Sequence, residues 1–379
     1  MKETTKEKDK TPATPEGALA RLFTEKRVDG EWFARSFANA VPASKVQSIV
    51  DDIKNELGAF SGVEKSGEGW SILFAKGKVP AKIGLDGEGR IASLWFSPAE
   101  LTKPLTMPEI ERELAALPGK VSYLVMTDGA NVSARDAETP MAVGSAFKLA
   151  ILDALREKID AKKAKWTDVV RLEDKHKSLP SGSLHTWPTQ APITLHSAAS
   201  LMISVSDNTA TDLLLDYVGR ENAEKRAPGN SPFMSTREAF VLKAKANAAL
   251  QTRWRTGDAA ARKAMLSELA AAKLDADTKL EDSPSVDIEW MLSAKQLCEL
   301  LSKNKSLDVT RINPGVAKKK DWDLVAYKGG SEPGVLNLST WVEKAGKKHC
   351  VVTTWNDPKK DVDSGKLFSI HASLLTALR

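Results

Sequence analysis

Cysteine is scarce in this sequence, and no pattern of metal-binding residues is present. Cys298 and Cys350 are the two cysteines among 379 residues. They lie in a helical and a strand pattern, and we interpret them as two small buried apolar residues, with a disulfide as the alternative. The five histidines show neither HExxH nor another metal-ligand spacing. The sequence therefore predicts no metal site and no cofactor.

Long apolar runs and a one-sided charge are also missing. No stretch approaches the roughly 18 apolar residues of a membrane-spanning helix, so no membrane span is predicted. The 55 basic and 50 acidic residues are mixed throughout and leave a net charge of only +5. This mixture argues against nucleic acid as a partner. The hydrophobic fraction of 42% is ordinary for a soluble globular protein and allows a sizeable core.

The beginning of the chain is charged and lacks the apolar segment of a secretory signal. We expect residues 1–14 to form a disordered leader. The localisation stays open, because this polar start suits an exported protein whose signal was removed before Met1, and otherwise a cytoplasmic one. The sequence does not indicate the oligomeric state.

Hydrophobic periodicity predicts two α+β domains joined by a linker. In residues 15–100, helical patterns are followed by strands at 69–75, 79–85 and 90–96, which predicts a small cone of three helices and a curved antiparallel sheet. The proline-punctuated residues 101–108 form the predicted linker. In residues 109–379, a strand at 120–127 precedes a long helical stretch.

Three strands and a terminal helix close this second domain. Its sheet should therefore be assembled from both ends of the domain, beside an all-helical subdomain, and a ligand site is expected in the crevice between them.

A serine and a lysine three residues apart precede an apolar helical pattern. They belong to Ser145-Ala146-Phe147-Lys148. Ser145 is predicted at a helix N-terminus, where its backbone N–H can bind an oxyanion. Lys148 lies on the same face, beside an apolar core that lowers its pKa and makes it a base. The alternative is a helix cap with a surface lysine, which we prefer for the second match, Ser302-Lys303-Asn304-Lys305, because no buried helix follows it.

Ser206-Asp207-Asn208 falls between two helical runs and can project into the crevice. The hydroxyl of Ser206 can relay a proton to a leaving group, and the amide of Asn208 can bind substrate. Asp207 is expected to brace the loop. The alternative is an ordinary helix N-cap, because these three residue types are preferred there.

Lys328-Gly329-Gly330 follows a predicted strand at 323–327. Lys328 can hold a positive charge against a bound anion, and the glycines let the backbone approach a ligand. The N–H of Ser331 is the second candidate oxyanion donor. The alternative is a hairpin turn with a solvated lysine.

In order and spacing, these three motifs resemble those of the penicillin-recognising serine hydrolases, which include class A β-lactamases and penicillin-binding proteins. The resemblance covers residues 106–379 and implies a class A β-lactamase-like fold. It also implies a catalytic set and a substrate-binding set without metal: Ser145, Lys148 and Ser206 in the first, and Asn208, Lys328, Gly330 and Ser331 in the second.

Two features depart from the family pattern. Gly329 replaces a threonine or serine whose hydroxyl helps to hold a substrate carboxylate, and Ser331 can substitute for it. In addition, no Glu-x-x-x-Asn loop occurs between Asn208 and Lys328, although its glutamate activates the deacylating water in class A β-lactamases. Glu238 and Glu268 lie in this interval and are expected on solvated helix faces. Efficient β-lactam hydrolysis by that mechanism is therefore not expected.

The layout of the whole chain is similar to the clavulanate-pathway branch of β-lactamase-like proteins. There, a steroid-isomerase-like (NTF2-like) domain precedes the hydrolase domain. We see no acid–tyrosine pair for isomerase chemistry in residues 15–100, so a docking or pocket-shaping role is expected for them.

Together these features predict a serine hydrolase that forms an acyl-enzyme with a small-molecule substrate, which is an ester, a β-lactam or a peptide. Weak esterase or β-lactamase-like activity is preferred. The alternatives are a peptidase or transpeptidase like the penicillin-binding proteins, and a non-catalytic ligand-binding protein on the same scaffold.

Overall fold

The chain divides between Thr106 and Met107 into two units, each with its own hydrophobic core. A computed structural model describes residues 14–379. The predicted disordered leader, apart from Thr14, lies outside these residues. None of the described helices has the length and apolar character needed to cross a membrane. The division falls inside the predicted linker, residues 101–108.

The first unit contains three helices followed by an antiparallel sheet. The helices are α1 (Pro15–Thr24), α2 (Arg35–Ala40) and α3 (Ala43–Leu57). The strands are β1 (Phe60–Ser66), β2 (Gly69–Phe74), β3 (Gly77–Leu85), β4 (Ile91–Phe96) and β5 (Glu100–Leu101). They pair in the order β1-β2-β3-β4, and β5 pairs with β3.

The three predicted strands of this unit are present as β2, β3 and β4, whereas β1 was not predicted. Its sequence contains two strongly apolar residues, Phe60 and Val63, and none of its residues is fully buried. A strand this polar carries little of the alternation that marks a half-buried strand. The steroid-isomerase-like assignment of the unit stays a prediction.

The second unit combines one large sheet with ten helices within the described chain. The helices are α4 (Met107–Ala116), α5 (Lys148–Asp160), α6 (Leu195–Ser204), α7 (Asn208–Val218), α8 (Arg220–Glu224), α9 (Thr236–Lys243), α10 (Ala248–Thr256), α11 (Ala259–Ala271), α12 (Ala294–Asn304) and α13 (Ser364–Ala377). The strands are β6 (Lys120–Thr127), β7 (Ala130–Arg135), β8 (Met141–Ala142), β9 (Val169–Arg171), β10 (Pro192–Thr194), β11 (Met291–Leu292), β12 (Leu324–Glu332), β13 (Val335–Lys344) and β14 (Lys347–Asn356).

The large sheet is built from both ends of this unit, as the sequence predicted. Its strand order is β12-β13-β14-β6-β7, and all neighbouring strands are antiparallel. The short strands form two separate ladders, β9 with β10 and β8 with β11. The strand β12 lies at an edge of the large sheet, so one side of its backbone is free to meet other parts of the chain.

The helix α5 is the centre of the helical part. All eight residues from Lys148 to Leu155 are buried, and the helix packs against α6, α7, α8 and α12. Burial on every side fixes the position of its first turn, because interiors are closely packed and respond little to local strain. A polar group placed at the start of α5 is therefore held rigidly.

The preferred interpretation of the two cysteines as unbonded residues is wrong, because they form a disulfide. Cys298 on α12 is bonded to Cys350 on β14, with a distance of 5.9 Å between their Cα atoms. Both residues are buried. The bond ties the helical part to the large sheet across 52 residues of sequence. The sequence alone could not distinguish a disulfide from two free cysteines, since pairing depends on how close the two elements come in the fold.

We expect the Cys298→Ala/Cys350→Ala variant to lose about 2–4 kcal/mol of unfolding free energy, because the bond restricts a long loop in the unfolded chain. Urea titration followed by circular dichroism measures this loss. Ser302→Ala, an exposed change on the same helix, is the control and should leave the midpoint unchanged. Equal midpoints for the double variant and the intact protein would contradict the prediction.

Candidate active site

Ser145 lies in a tight turn that leads into α5. Residues Gly144–Phe147 form one 3-10 turn, and Lys148 is the first residue of α5. Ser145 was predicted at the helix N-terminus itself, and the extra turn places it just before that end. The ring of Phe147 stacks on Trp290 with 3.7 Å between centroids, which fixes the turn from behind. As the second residue of the turn, Ser145 has a backbone N–H without a helical acceptor.

The glycine motif lies inside β12, not after a strand as predicted. The strand continues to Glu332, and its free edge runs against the Ser145 turn. A Cβ added to Gly330 would be 2.1 Å from the carbonyl oxygen of Val143 and 2.4 Å from the nitrogen of Ser145. Only glycine allows this approach.

Ser331 is brought to the same turn by this approach. Gly144 has a positive φ of 48°, and a Cβ added there would be 2.9 Å from the nitrogen of Ser331. The nitrogens of Ser145 and Ser331, the two predicted oxyanion donors, therefore lie on adjoining stretches of backbone.

The loop between α6 and α7 holds Ser206 in a left-handed conformation, with φ of 59°. Few residues other than glycine adopt it, so surrounding contacts must hold it in place. The carbonyl oxygen of Ser206 accepts hydrogen bonds from Lys148 Nζ at 2.6 Å and from Ser181 Oγ at 2.6 Å. These bonds anchor the loop from two sides.

Asp207 is fully buried and braces the same loop. Its carboxylate accepts hydrogen bonds from the backbone N–H groups of Ala210 at 2.8 Å, Ser183 at 2.6 Å and Leu184 at 2.9 Å. The first bond caps α7, and the other two attach the preceding segment. A Cβ on Gly182 would be 2.2 Å from this carboxylate, so that segment closes tightly over Asp207.

The amine of Lys148 is completely buried and points to the second motif. Its Nζ donates hydrogen bonds to Ser206 Oγ at 3.0 Å and to Asn208 Oδ1 at 2.7 Å. Burial lowers the pKa of Lys148 from 10.5 to about 7, and the nearby charges of Asp212, Asp207 and Glu332 oppose this shift. Within the described chain, no hydrogen bond joins Lys148 to Ser145 Oγ.

Lys328 approaches the same hydroxyl from β12. Its Nζ donates to Ser206 Oγ at 3.1 Å and to the carbonyl oxygen of Gly329 at 2.5 Å. Burial lowers its pKa well below the ordinary value, and the charge of Lys148 lowers it further. One hydroxyl therefore lies between two buried amines. Because a hydroxyl both donates and accepts, it can pass a proton between them.

All seven predicted site residues thus come together in the second unit. Three segments that are far apart in sequence meet around Ser206 and Ser145. Within residues 14–379, no three metal-binding side chains gather as a metal site requires. Ser302, the serine of the second Ser-x-x-Lys sequence, is exposed on α12.

Asp212 is a buried group near the site that the sequence did not reveal. It lies one turn beyond Asn208 on α7 and accepts from the backbone N–H groups of Thr236 at 2.7 Å and Arg237 at 2.8 Å. Burial raises its pKa to about 7, although both of these bonds lower it. In the sequence, Asp212 belongs to an ordinary helical pattern. Only its position one turn after Asn208, on the same face of the helix, could have indicated that it is buried.

The prediction that Glu238 lies on a solvated helix face is wrong. Its carboxylate is buried and accepts two hydrogen bonds from the guanidinium of Arg220, at 2.8 and 2.9 Å. It also closes a capping box with Ser235 at the start of α9. The signal was available, since a serine followed three residues later by a glutamate marks such a start. Glu268 is exposed as expected and pairs with Arg253 at 2.8 Å.

Comparisons with known proteins concern the second unit of the chain. The model of the β-lactamase enzyme family matches residues 106–376. Among solved structures, a β-lactamase from Chitinophaga pinensis is 16% identical, with a TM-score of 0.50 over 72% of this chain and 97% of that one. A β-lactamase from Francisella tularensis is 12% identical, with a TM-score of 0.50 and the same coverage, 72% and 97%. No match was found among curated proteins.

At these identities, the solved structures establish the fold alone. The family model adds the assignment, because it spans nearly the whole second unit. The chain belongs to the β-lactamase enzyme family, within the superfamily of penicillin-recognising serine hydrolases.

Proposed function

We propose that this protein is a serine hydrolase that is acylated on Ser145. The observation that carries the proposal is the hydroxyl of Ser206, which bonds to both Lys148 and Lys328 beside the Ser145 turn. Two buried amines around one hydroxyl are expensive to build, since each ammonium loses its hydration. Such an arrangement suits proton transfer.

The proposed acylation begins with attack of Ser145 Oγ on the substrate carbonyl carbon. Neutral Lys148, one helical turn away, accepts the hydroxyl proton. The oxyanion accepts hydrogen bonds from the N–H groups of Ser145 and Ser331. When the intermediate collapses, Ser206 Oγ gives its proton to the leaving group and receives the proton held by Lys148.

Lys328 and Asn208 complete the site in this proposal. Lys328 donates a hydrogen bond to Ser206 Oγ, and Asn208 positions the acyl part of the substrate while its side chain also binds Lys148. Substrates are activated or strained carbonyl compounds, namely esters and β-lactams. We expect slow deacylation, because no Glu-x-x-x-Asn pattern occurs between Asn208 and Lys328.

We expect a fluorescent penicillin or an activated ester to add one acyl group to the intact protein, as read by intact mass. Ser145→Ala should abolish the adduct, because no other serine has these neighbours. The matched control is Ser302→Ala, which alters the other Ser-x-x-Lys sequence and should label normally. Absence of an adduct from both reagents would refute acylation and favour the ligand-binding alternative.

The lifetime of the adduct separates the remaining alternatives. A penicillin adduct that persists for hours favours a function like that of penicillin-binding proteins. Rapid turnover favours a β-lactamase that uses another base.

The acylation rate should rise with pH through about 7, because the pKa of Lys148 is about 7 and only its neutral form accepts a proton. The rate should increase about tenfold per unit well below that pKa and level off above it. Single-turnover labelling with the activated ester, corrected for spontaneous hydrolysis, measures the profile. A profile that is flat from about pH 5 to 9 would exclude Lys148 as the base.

Gly330→Ala should reduce the acylation rate by about 100-fold, because its methyl group would push β12 away from the Ser145 turn. Labelling kinetics measure the rate, and circular dichroism tests whether the fold is kept. The matched control is Gly87→Ala, where nothing lies within 4 Å of the added Cβ. Normal labelling of Gly330→Ala would show that the approach of β12 is not needed.

A further inference from the structure

A lysine at the end of α9 lies between two glutamates that are distant from it in sequence. Lys243 Nζ donates hydrogen bonds to Glu289 Oε1 and, at 3.3 Å, to Glu332 Oε2. Lys243 and Glu289 are buried, and Glu332 is half-buried. Burial opposes the charge of Lys243, but the two carboxylates outweigh it and raise its pKa above the ordinary value. One ammonium therefore joins two carboxylates, in a cluster that the proposed reaction does not use.

Glu289 depends on this lysine for its place. Its Oε1 atom is bonded to Lys243, and its Oε2 atom is buried without a hydrogen-bond partner among the described residues. A buried carboxylate is strongly destabilised when its ionic partner is removed. Contact with Lys243 therefore determines where Glu289 lies.

Glu289 is connected to the Ser145 turn through Trp290, the next residue in sequence. The carbonyl oxygen of Trp290 accepts a hydrogen bond from the N–H of Val143 at 3.1 Å. Its ring stacks on Phe147 with 3.7 Å between centroids. Val143 and Phe147 lie on either side of Ser145 in the chain. The position of Glu289 therefore bears on the first oxyanion donor, the N–H of Ser145.

Glu332 is connected to the second oxyanion donor through the backbone of β12. It follows Ser331 directly and is the last residue of the strand. Because β12 lies at an edge of the large sheet, ladder hydrogen bonds hold it along one side only. The contact of Glu332 with Lys243 restrains the end of this strand, next to the N–H of Ser331.

The helix that carries Lys243 is itself tied to the second motif. At the start of α9, Thr236 Oγ1 donates to the carbonyl oxygen of Asn208 at 3.2 Å, and Asp212 Oδ1 accepts from the N–H of Thr236 at 2.7 Å. Lys243 is the last residue of α9, about two turns further on. Since a helix of this length is rigid, α9 gives the two glutamates a fixed reference within the site.

We propose that Lys243 is a positioning residue that sets the spacing of the two oxyanion donors through Glu289 and Glu332. This inference rests on the proposed function and extends it to the transition state, where both N–H groups must reach the same oxygen. The alternative is an ion-pair network that stabilises the fold alone. Such a network would leave the selectivity of the site for the reacting oxygen unchanged.

Two reagents that differ in one atom test the spacing of the donors. They are p-nitrophenyl benzoate and its thiono analogue, in which sulfur replaces the carbonyl oxygen. Sulfur is larger and accepts weaker hydrogen bonds, so well-placed donors favour the oxygen compound. Lys243→Met should lower the ratio of the two acylation rates about tenfold, a part of the loss that removal of a whole oxyanion donor causes. Nitrophenol release and intact mass measure both rates.

The dependence of the rate on reagent concentration adds a second readout. Lys243→Met should lower the maximal rate of acylation by the ester and keep the concentration that gives half of it, because the donors act mainly in the transition state. The matched control is Lys245→Met, which removes a lysine paired with Asp282 at 2.5 Å on the exposed surface. It should keep the ratio and the maximal rate.

Glu332→Gln weakens the contact from the other partner and leaves Lys243 bonded to Glu289. It should also lower the ratio, and it decides the question if circular dichroism shows that Lys243→Met does not fold. Adding Glu332→Gln to Lys243→Met should lower the ratio little further, because both changes act through one contact.

The proposal is overturned if folded Lys243→Met or Glu332→Gln keeps the ratio, or if Lys245→Met lowers it equally. Crystal structures of the intact protein and of Glu332→Gln give the distance between the nitrogens of Ser145 and Ser331, which needs no acylation. We expect this distance to change by about 0.5 Å or more.

The two readouts separate this inference from the proposed function. If the intact protein is not acylated while the distance changes, the hydrolase function is refuted and the positioning role of Lys243 stands. If acylation succeeds while the ratio and the distance stay the same, the positioning role is refuted and the function stands. No acylation together with an unchanged distance refutes both.

Discussion

The arrangement of the second unit depends on a fully buried lysine, Lys148, at the start of its central helix α5. Shifting the pKa of Lys148 from 10.5 to about 7 corresponds to about 5 kcal/mol lost by the ammonium form. Three hydrogen-bond acceptors stabilise the buried amine of Lys148, namely the carbonyl and hydroxyl oxygens of Ser206 and the amide oxygen of Asn208. The loop that carries these acceptors must therefore stay in place, and this requirement explains the strained φ of Ser206 and the buried brace at Asp207.

Backbone contact at glycines sets the rest of the site. Gly330 lets the edge of β12 touch the Ser145 turn, and Gly182 lets the preceding segment close over Asp207. At Gly329 the reason differs, because the missing side chain makes room for Tyr327. At each of these three glycines, a specific neighbouring group leaves no space for a side chain. Within Lys328-Gly329-Gly330, Gly330 therefore allows close backbone packing, and Gly329 leaves space for the side chain of Tyr327.

Much of the fold was predictable because strong periodic signals agreed along the chain. The strands on both sides of the helical part, and the sheet that they form together, follow from alternating apolar residues at each end of the second unit. The weakly apolar β1 and the burial of Glu238 were not predicted. The strand β1 is held by its pairing with β2, although its residues are only partly buried or exposed. Glu238 is buried because Arg220 and the capping box satisfy its carboxylate.

The sequence by itself determined the three motifs and their order, and local spacing predicted most of the helices and strands around them. It also showed the glycine at 329 and the lack of the Glu-x-x-x-Asn pattern. It did not show that Ser145 lies in a turn before α5 or that the glycine motif lies inside β12. Only the tertiary structure decided that Lys148 and Lys328 share the hydroxyl of Ser206, that Cys298 bonds to Cys350, and that the phenol of Tyr327 fills the space at 329. These contacts join residues distant in sequence, and their distances depend on how whole elements pack.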